Sequence, residues 1–269
     1  MHTETDIDIL DLALEVVANE QLTPSINVIA LQAPELALRF KAGQFMEIKV
    51  SESLFPLLRR PFSIHRIVGE RIEIMNKVVG TGTRRLYDIK AGEKLQVLAP
   101  LGNRFGYDKD DFDVGVLISG GIGVAPMALL EETLRSKGKE VLNIVGAKTV
   151  EELATRYLTN IHLATDDGTA GFKGHVVELF SRLLPTLKGK RLRVFACGPN
   201  PMLNALAKFC QAQHIPCEVS IESIMGCGIG ICYGCPIRIR NAEGKIHYRL
   251  LCQYGSIVEA CQVVFDEDC

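Results

Sequence analysis

The chain of 269 residues carries 30 Lys and Arg against 32 Asp and Glu, a formal net charge of −2, with 47% hydrophobic and 23% charged residues. That balance excludes a disordered chain and, with no basic tract, argues against a nucleic-acid partner, because phosphate binding needs clustered Lys and Arg. The length suits two or three small domains; no apolar run approaches the roughly 20 residues of a membrane helix, and the start from Met1 to Leu10 is acidic where an export signal is basic, so a cytoplasmic protein free of membranes is expected.

From Leu12 to about Pro100, short apolar runs (Leu12 to Val17, Ile26 to Leu31, Phe45 to Val50, Ile72 to Met75, Leu95 to Leu98) are separated by turn residues such as Pro24, Gly43, Pro56, Gly69 and Gly92. This spacing predicts an antiparallel barrel or sandwich. After Asp113 the pattern changes. Buried-type strands are predicted at Val114 to Ser119, Val141 to Val145, Ile161 to Thr165 and Leu192 to Ala196, alternating with helices at Pro126 to Arg135, Glu151 to Leu158 and Val176 to Leu184. Alternation of this kind means crossover units and a parallel sheet covered on both faces. From about Ser220 the chain is rich in Gly and Cys, with one predicted hairpin, Ile237 to Arg240 turning through Asn241 to Gly244 into Ile246 to Leu250. The expected fold class is multi-domain α+β: a β-barrel over 1–108, an α/β domain over 109–219, and a C-terminal domain over 220–269 too small to fold on an apolar core alone.

Six of the nine cysteines crowd into that last segment: Cys227, Cys232, Cys235, Cys252, Cys261 and Cys269. Nine is odd and no export signal precedes them, so metal ligation is favoured over a disulfide framework. Four residues separate Cys227 from Cys232, two separate Cys232 from Cys235, and sixteen lead to Cys252. Four, then two, then a distant fourth thiolate is the spacing of a plant-type [2Fe–2S] cluster. Gly226, Gly228, Gly230 and Gly234 suit a loop that wraps closely around inorganic sulfides. Zinc is the alternative, although it favours two short ligand pairs. Cys261 and Cys269 are read as spare thiols.

The turn Ser119-Gly120-Gly121-Ile122-Gly123-Val124-Ala125-Pro126 follows a strand and opens a helix, where glycines let a pyrophosphate approach backbone N–H groups. It matches the dinucleotide fingerprint only in part, since Pro126 stands where the third glycine would be, and a turn used for tight packing is the alternative. A second strand end, Cys197-Gly198-Pro199-Asn200-Pro201-Met202, would complete a cleft, with Cys197 either lining it or merely buried. In the first domain, Arg60-Pro61-Phe62-Ser63 places a guanidinium, a ring and a hydroxyl on one extended stretch, and Gly80-Thr81-Gly82-Thr83 supplies donors that suit a pyrophosphate.

In this order the motifs resemble the ferredoxin-reductase superfamily, most closely the type B branch formed by electron-transfer subunits of NAD-dependent dihydroorotate dehydrogenase, from Ala42-Gly43-Gln44-Phe45 through Cys252. The resemblance implies FAD bound by Arg60, Pro61, Phe62 and Ser63, with Arg60 on a phosphate and Ser63, the catalytic residue, beside flavin N5. It implies a second FAD segment at Met75, Asn76 and Lys77 and a phosphate-binding pair at Gly82 and Thr83. Leu98 to Asn103 would close the barrel. NAD(P) would be bound by Gly120, Gly121, Gly123, Cys197, Gly198, Pro199 and Met202, with Thr165-Asp166-Asp167-Gly168 as a further loop. The [2Fe–2S] ligands would be Cys227, Cys232, Cys235 and Cys252. After Cys252 this chain has Gln253-Tyr254-Gly255-Ser256 in place of the acidic residue, Gly and Pro usual in the family.

The implied function is an oxidoreductase subunit of pyrimidine biosynthesis, passing electrons between a catalytic FMN-containing partner, in a heterotetramer, and NAD. Rival readings are a subunit of an NAD(P)H:ferredoxin-type oxidoreductase, a stand-alone NAD(P)H reductase, and a zinc-binding interaction module. Lys148 could accept the 2′-phosphate of NADP, whereas Glu151 and Glu152 could exclude it. Arg238, Arg240, Lys245 and Arg249 against Glu243 make the hairpin locally basic and a possible docking face.

Overall fold

The computed structural model describes residues 8–51 and 53–265. Its first part is a closed barrel of six strands, β1 (Leu10–Thr23), β2 (Ile26–Gln32), β3 (Phe45–Lys49), β4 (Arg60–Val68), β5 (Arg71–Lys77) and β6 (Lys94–Leu101), in the order β1-β2-β5-β4-β3-β6. In β1, Leu14 and Val16 point inward while Glu15 faces solvent, the period-two pattern that assigns one face to the core. Val16, Ile29, Leu31, Met46, Ile48, Ile64, Ile72, Ile74 and Val97 fill the barrel, and closure pairs every strand with a neighbour on each side over at least part of its length. Two short helices decorate it, α1 (Pro34–Ala37) and α2 (Thr81–Asp88).

The second part is a seven-stranded sheet: β7 (Val114–Gly120), β8 (Glu140–Ala147), β9 (Ile161–Thr165), β10 (Phe172–Lys173), β11 (Leu192–Cys197), β12 (Cys217–Ser220) and, from the C-terminal segment, β15 (Ile257–Glu259). Its order is β10-β9-β8-β7-β11-β12-β15, parallel except for β15. Helices α3 (Met127–Ser136), α4 (Val176–Leu183) and α5 (Asn200–Ala212) cover it, so β7 reads as a continuous apolar run buried on both faces. The C-terminal segment adds a hairpin, β13 (Pro236–Arg240) and β14 (Ile246–Leu250), and one helical turn, α6 (Leu251–Tyr254). In the hairpin turn, Asn241 Oδ1 accepts from the N–H groups of Glu243 and Lys245, and Gly244 adopts φ +81°.

The predicted helix from Glu151 to Leu158 is not formed. Only Val150–Glu152 makes a 3-10 turn, and Tyr157 has φ +66°. The segment is drawn onto the barrel instead: Glu152 accepts from Lys77 Nζ at 2.9 Å, Arg156 pairs with Glu20, and Arg66 of β4 stacks over the Tyr157 ring at 4.2 Å. These contacts outweigh helix propensity, which is worth only tenths of a kcal/mol per residue, about 0–0.7.

Barrel and sheet share a seam. Phe105 and Phe112, in the connection after β6, meet the ring of Phe195 edge-on at 5.6 and 5.7 Å. Beside them the buried guanidinium of Arg193 reaches Asp111 at 2.5 Å, Glu218 at 3.0 Å and Glu259 at 3.5 Å, and Lys109 bridges the same two glutamates. One ionic cluster thus joins the connection, the sheet and the C-terminal segment.

Candidate cofactor and electron-transfer sites

The barrel opens where β4 and β5 part. Ile64 pairs with Ile74, and the ladder runs on to Val68 and Arg71, but it does not extend to Arg60–Ser63. That stretch pairs instead with β3, Phe45 opposite Ser63 and Ile48 opposite Arg60, while Met75, Asn76 and Lys77 pair with β2. Two backbone edges therefore face each other unpaired, and they are the two segments singled out for FAD. Such a slot offers N–H and C=O groups to a flat, polar-edged ring. The side chains along the slot have these partners within the protein. Phe62 turns into the barrel core, Met75 is buried with it, and the Asn76 amide donates to Asn27 Oδ1 and the Thr83 carbonyl. Lys77 is held by Glu152. Arg60 folds back on the carbonyls of Leu58 and Arg59 at 2.7 and 3.0 Å, and Ser63 is half-buried at the strand.

Helix α2 begins close to this slot. Thr83 Oγ1 caps it, accepting from the N–H groups of Val79 and Gly80 and donating to the Gly80 carbonyl. The Thr83 hydroxyl is thus committed to the turn, and the first-turn amides are what remain for a phosphate. Gly82 is buried against the Val50 side chain, where a Cβ would lie 3.0 Å from Cγ2.

The nucleotide motifs meet at the switch point of the sheet. From β7 the chain builds outward through β8, β9 and β10, whereas β11 and β12 lie on the other side, so the crevice falls between β7 and β11. Gly120 ends β7, Gly121–Val124 forms a 3-10 turn, and Gly121 adopts φ +55° with open space around it. A side chain on Gly123 would strike the Cys197 carbonyl, and one on Gly120 would meet Met202 Sδ at 2.7 Å. Gly198 is equally confined, with Met202 Cε 2.6 Å from its Cβ position. Pro199 precedes α5, and Pro201 occupies its first turn. Cys197 is 1% exposed and burial drives its thiol far above the usual range, so only its backbone borders the crevice. Lys148 and Glu151 are exposed just beyond β8.

The four clustered thiols form two pairs. Cys235 and Cys252, both buried, have sulfurs 3.4 Å apart, and Cys227 Sγ accepts from the Cys232 N–H at 3.4 Å. Burial works to raise the Cys227 thiol, but the amides of Cys232, Ile229 and Ile231 outweigh it and bring it down to about 7. Burial and the Cys235 partner push Cys252 up to about 12. Amides directed at sulfur are what a thiolate-bound iron centre needs. Among the described residues no three His, Cys, Asp or Glu side chains converge as one ion requires. Four thiols in two pairs supply the ligand number that a [2Fe–2S] centre takes. Cys261 is exposed in the 3-10 turn Ala260–Gln262, and Cys269 lies outside the described residues.

Three polar groups near these sites were not anticipated. Glu47 is fully buried on β3, next to the cluster loop. His65 is 1% exposed, with Nδ1 2.7 Å from the Ala125 carbonyl of the nucleotide turn. Glu222, exposed, borders a hollow of about 340 Å³ with Asn200, Arg238 and Tyr248. The visible signal for the first two was a charged or titratable residue inside an otherwise apolar strand.

Residues 222–264 match the family described as the iron-sulfur cluster binding domain of dihydroorotate dehydrogenase B. Along almost its whole length the chain is similar to proteins named dihydroorotate dehydrogenase B (NAD(+)), electron transfer subunit. That of Desulforamulus reducens is 32% identical, over 94% of this chain and 97% of the relative; that of Bacillus pumilus is 36% identical, over 93% and 96%. Among solved structures, an NADH-dependent reduced ferredoxin-NADP oxidoreductase superposes with a TM-score of 0.82 at 23% identity, covering 94% of this chain and 90% of that one. Phthalate dioxygenase reductase superposes with 0.60 at 17% identity, over 89% and 76%. With a barrel, a switch-point crevice and four paired thiols in one chain, and this extent of identity, the protein belongs to the family of dihydroorotate dehydrogenase B electron transfer subunits.

Proposed function

We propose that this chain is a flavin- and iron–sulfur-containing oxidoreductase subunit that carries electrons between a catalytic dihydroorotate dehydrogenase subunit and NAD. The observation that carries this reading is the succession, in one chain, of a slot between β4 and β5, a nucleotide crevice at β7 and β11, and two cysteine pairs in the C-terminal segment. The chain divides functionally into 1–108 for FAD, 109–219 for the nucleotide and 220–269 for the cluster. FAD bound in the slot would supply the exchange between hydride at the nicotinamide and single electrons at a [2Fe–2S] centre.

The protein's part is placement. The backbone edges of Arg60–Ser63 and Met75–Lys77, with Ser63 as the hydroxyl near the reacting edge, hold the ring; the α2 amides at Gly82 and Thr83 hold its pyrophosphate. Gly120, Gly121, Gly123, Gly198, Pro199 and Met202 shape the nucleotide crevice, Cys197 lending backbone. Glu151 and Glu152, just past β8, favour NAD over NADP, because a 2′-phosphate would meet carboxylates there. Cys227, Cys232, Cys235 and Cys252 ligate the irons. His65 and Arg66, which reach Ala125 and Glu132, fix the barrel against the nucleotide turn.

A partner is expected at the cluster. Leu54, Phe55, Leu57 and Leu58 are exposed ahead of β4, Ile224, Ile231 and Tyr233 are exposed in the cluster loop, and Leu58 lies against Gly226 of that loop. An apolar rim of this kind suits a lasting subunit interface, here with an FMN-containing catalytic subunit in a heterotetramer, in the cytoplasm. Among the described residues no helix is long and apolar enough to cross a membrane. The test is anaerobic purification followed by metal and flavin analysis, a visible spectrum and identification of the co-purifying subunit. FAD, two irons per chain and NADH-dependent bleaching support the reading; zinc without iron, or no flavin, overturns it.

A further inference from the structure

Glu47 sits on the outer face of the barrel, because its neighbours Met46 and Ile48 point into the core. The cluster loop covers that face: a Cβ on Gly228 would lie 2.7 Å from Glu47 Cγ and 3.0 Å from Leu101 Cδ1. The carboxyl is fully buried, and among the described residues neither oxygen has a hydrogen-bond partner. Two of the residues that face it offer no side-chain donor: Gly228 has no side chain, and Pro61, opposite Glu47 on β4, has no N–H. Arg59 donates to the backbone carbonyl of Glu47 and, in a two-armed bond, to the Asp11 carboxylate. Burial lifts the Glu47 carboxyl to about 7, against the pull of Arg59 and Arg60 and with a contribution from the Cys227 charge. Buried carboxyls are ordinarily paired, so one left open beside a loop that holds metal ligands answers to something outside the polypeptide.

We propose that Glu47 sets the reduction potential of the iron–sulfur cluster, its carboxylate opposing electron addition from the flavin-barrel side of the loop. The proposal rests on the reading that Cys227, Cys232, Cys235 and Cys252 bind [2Fe–2S]. Where it is ionised, a carboxylate in a low-dielectric wall raises the free energy of the reduced, more negative cluster, and Gly228, next to Cys227 in the chain, packs against it. The barrel thereby takes part in tuning a centre whose ligands all come from the C-terminal segment.

The experiment is an anaerobic potentiometric titration of the full chain with its cofactors at pH 8.5, following the electron paramagnetic resonance of the reduced cluster, in the unaltered protein, Glu47→Gln and Glu47→Asp. Glu47→Gln keeps the shape and removes the charge, and should favour the reduced cluster about tenfold, which for a one-electron couple is 59 mV. Glu47→Asp keeps the charge and should stay within about threefold of the unaltered protein. An unchanged equilibrium in Glu47→Gln with full iron content overturns the proposal, as do equal shifts in the two variants or loss of iron from Glu47→Gln, which would assign the side chain to packing. Absence of any iron–sulfur signal from the unaltered protein would instead remove the cluster reading on which the proposal stands.

Discussion

Asn103 and Ile257 exchange two hydrogen bonds across 154 positions of sequence: the Asn103 amide donates to the Ile257 carbonyl at 2.8 Å, and the Ile257 N–H donates to Asn103 Oδ1 at 2.9 Å. A side chain at the end of the barrel thus imitates a strand neighbour for the segment that follows Cys252. Gly255 makes room for it, since a Cβ there would strike the Asn103 amide, and Ser256 adds a bond from its hydroxyl to the Gly43 carbonyl at 3.0 Å. The Gly255-Ser256-Ile257 stretch is the piece that docks on the barrel.

Replacing Asn103 by Leu should leave both bonding groups of Ile257 without partners at the cost of about 2–4 kcal/mol, since each buried polar group left unpaired costs about 1–3 kcal/mol. The loss should be local to the C-terminal segment. Iron release to a chelator should accelerate several-fold while flavin content holds, and equal release rates would show that Asn103 does not anchor the cluster region.

Gly123→Ala should abolish the nucleotide crevice without unfolding the barrel, because the added methyl runs into the Cys197 carbonyl, which belongs to a central strand. NADH affinity should fall by more than tenfold, a difference of about 1.4 kcal/mol or more, with FAD retained. Calorimetric binding of NADH to the variant at unchanged affinity would contradict the placement.

Cys232→Ser removes the most exposed of the four proposed ligands, and it should cost the cluster but not the flavin, whose proposed slot lies between β4 and β5. Iron and flavin analysis of the same preparation decides it. Simultaneous loss of both would show that the barrel cannot stand without the loaded cluster segment.

His65 introduces an acid limit. Burial lowers it to about 4 from an ordinary 6.5, even though the Ala125 carbonyl, its hydrogen-bond partner, pulls the other way. A histidine whose folded value is depressed contributes stability above its unfolded value and loses it as pH falls through the window between the two, here from about 6.5 to about 4. The full loss is about 3 kcal/mol by linkage. Thermal denaturation between pH 7 and 4 should therefore show a steeper fall in the unaltered protein than in His65→Gln, whose amide does not titrate. Parallel curves would place the acid sensitivity elsewhere.

Much of the architecture was legible because its signals are local. The thiolate spacing from Cys227 to Cys252 and the apolar run of β7 each specify an outcome within a few residues. The barrel strands follow from period-two alternation in the same way. What could not be read depends on distant partners. The segment from Glu151 to Leu158 has helical composition, yet Lys77, Glu20 and Arg66 draw it onto the barrel. Phe62, Met75 and Asn76 occupy the right strands, but which face each presents was decided by the barrel core. Glu47 gains its meaning only from Gly228, 181 positions further on, which no local pattern announces.

The antiparallel strand β15 seals the edge of the nucleotide sheet with residues that follow the fourth cysteine ligand in the chain. During synthesis the β12 edge therefore stays bare until β15 emerges, and the cysteine-bearing segment lies between that edge and the strand that will cover it. A chain cut short before Ile257 forfeits not only its anchor on Asn103 but also its safeguard against edge-to-edge aggregation.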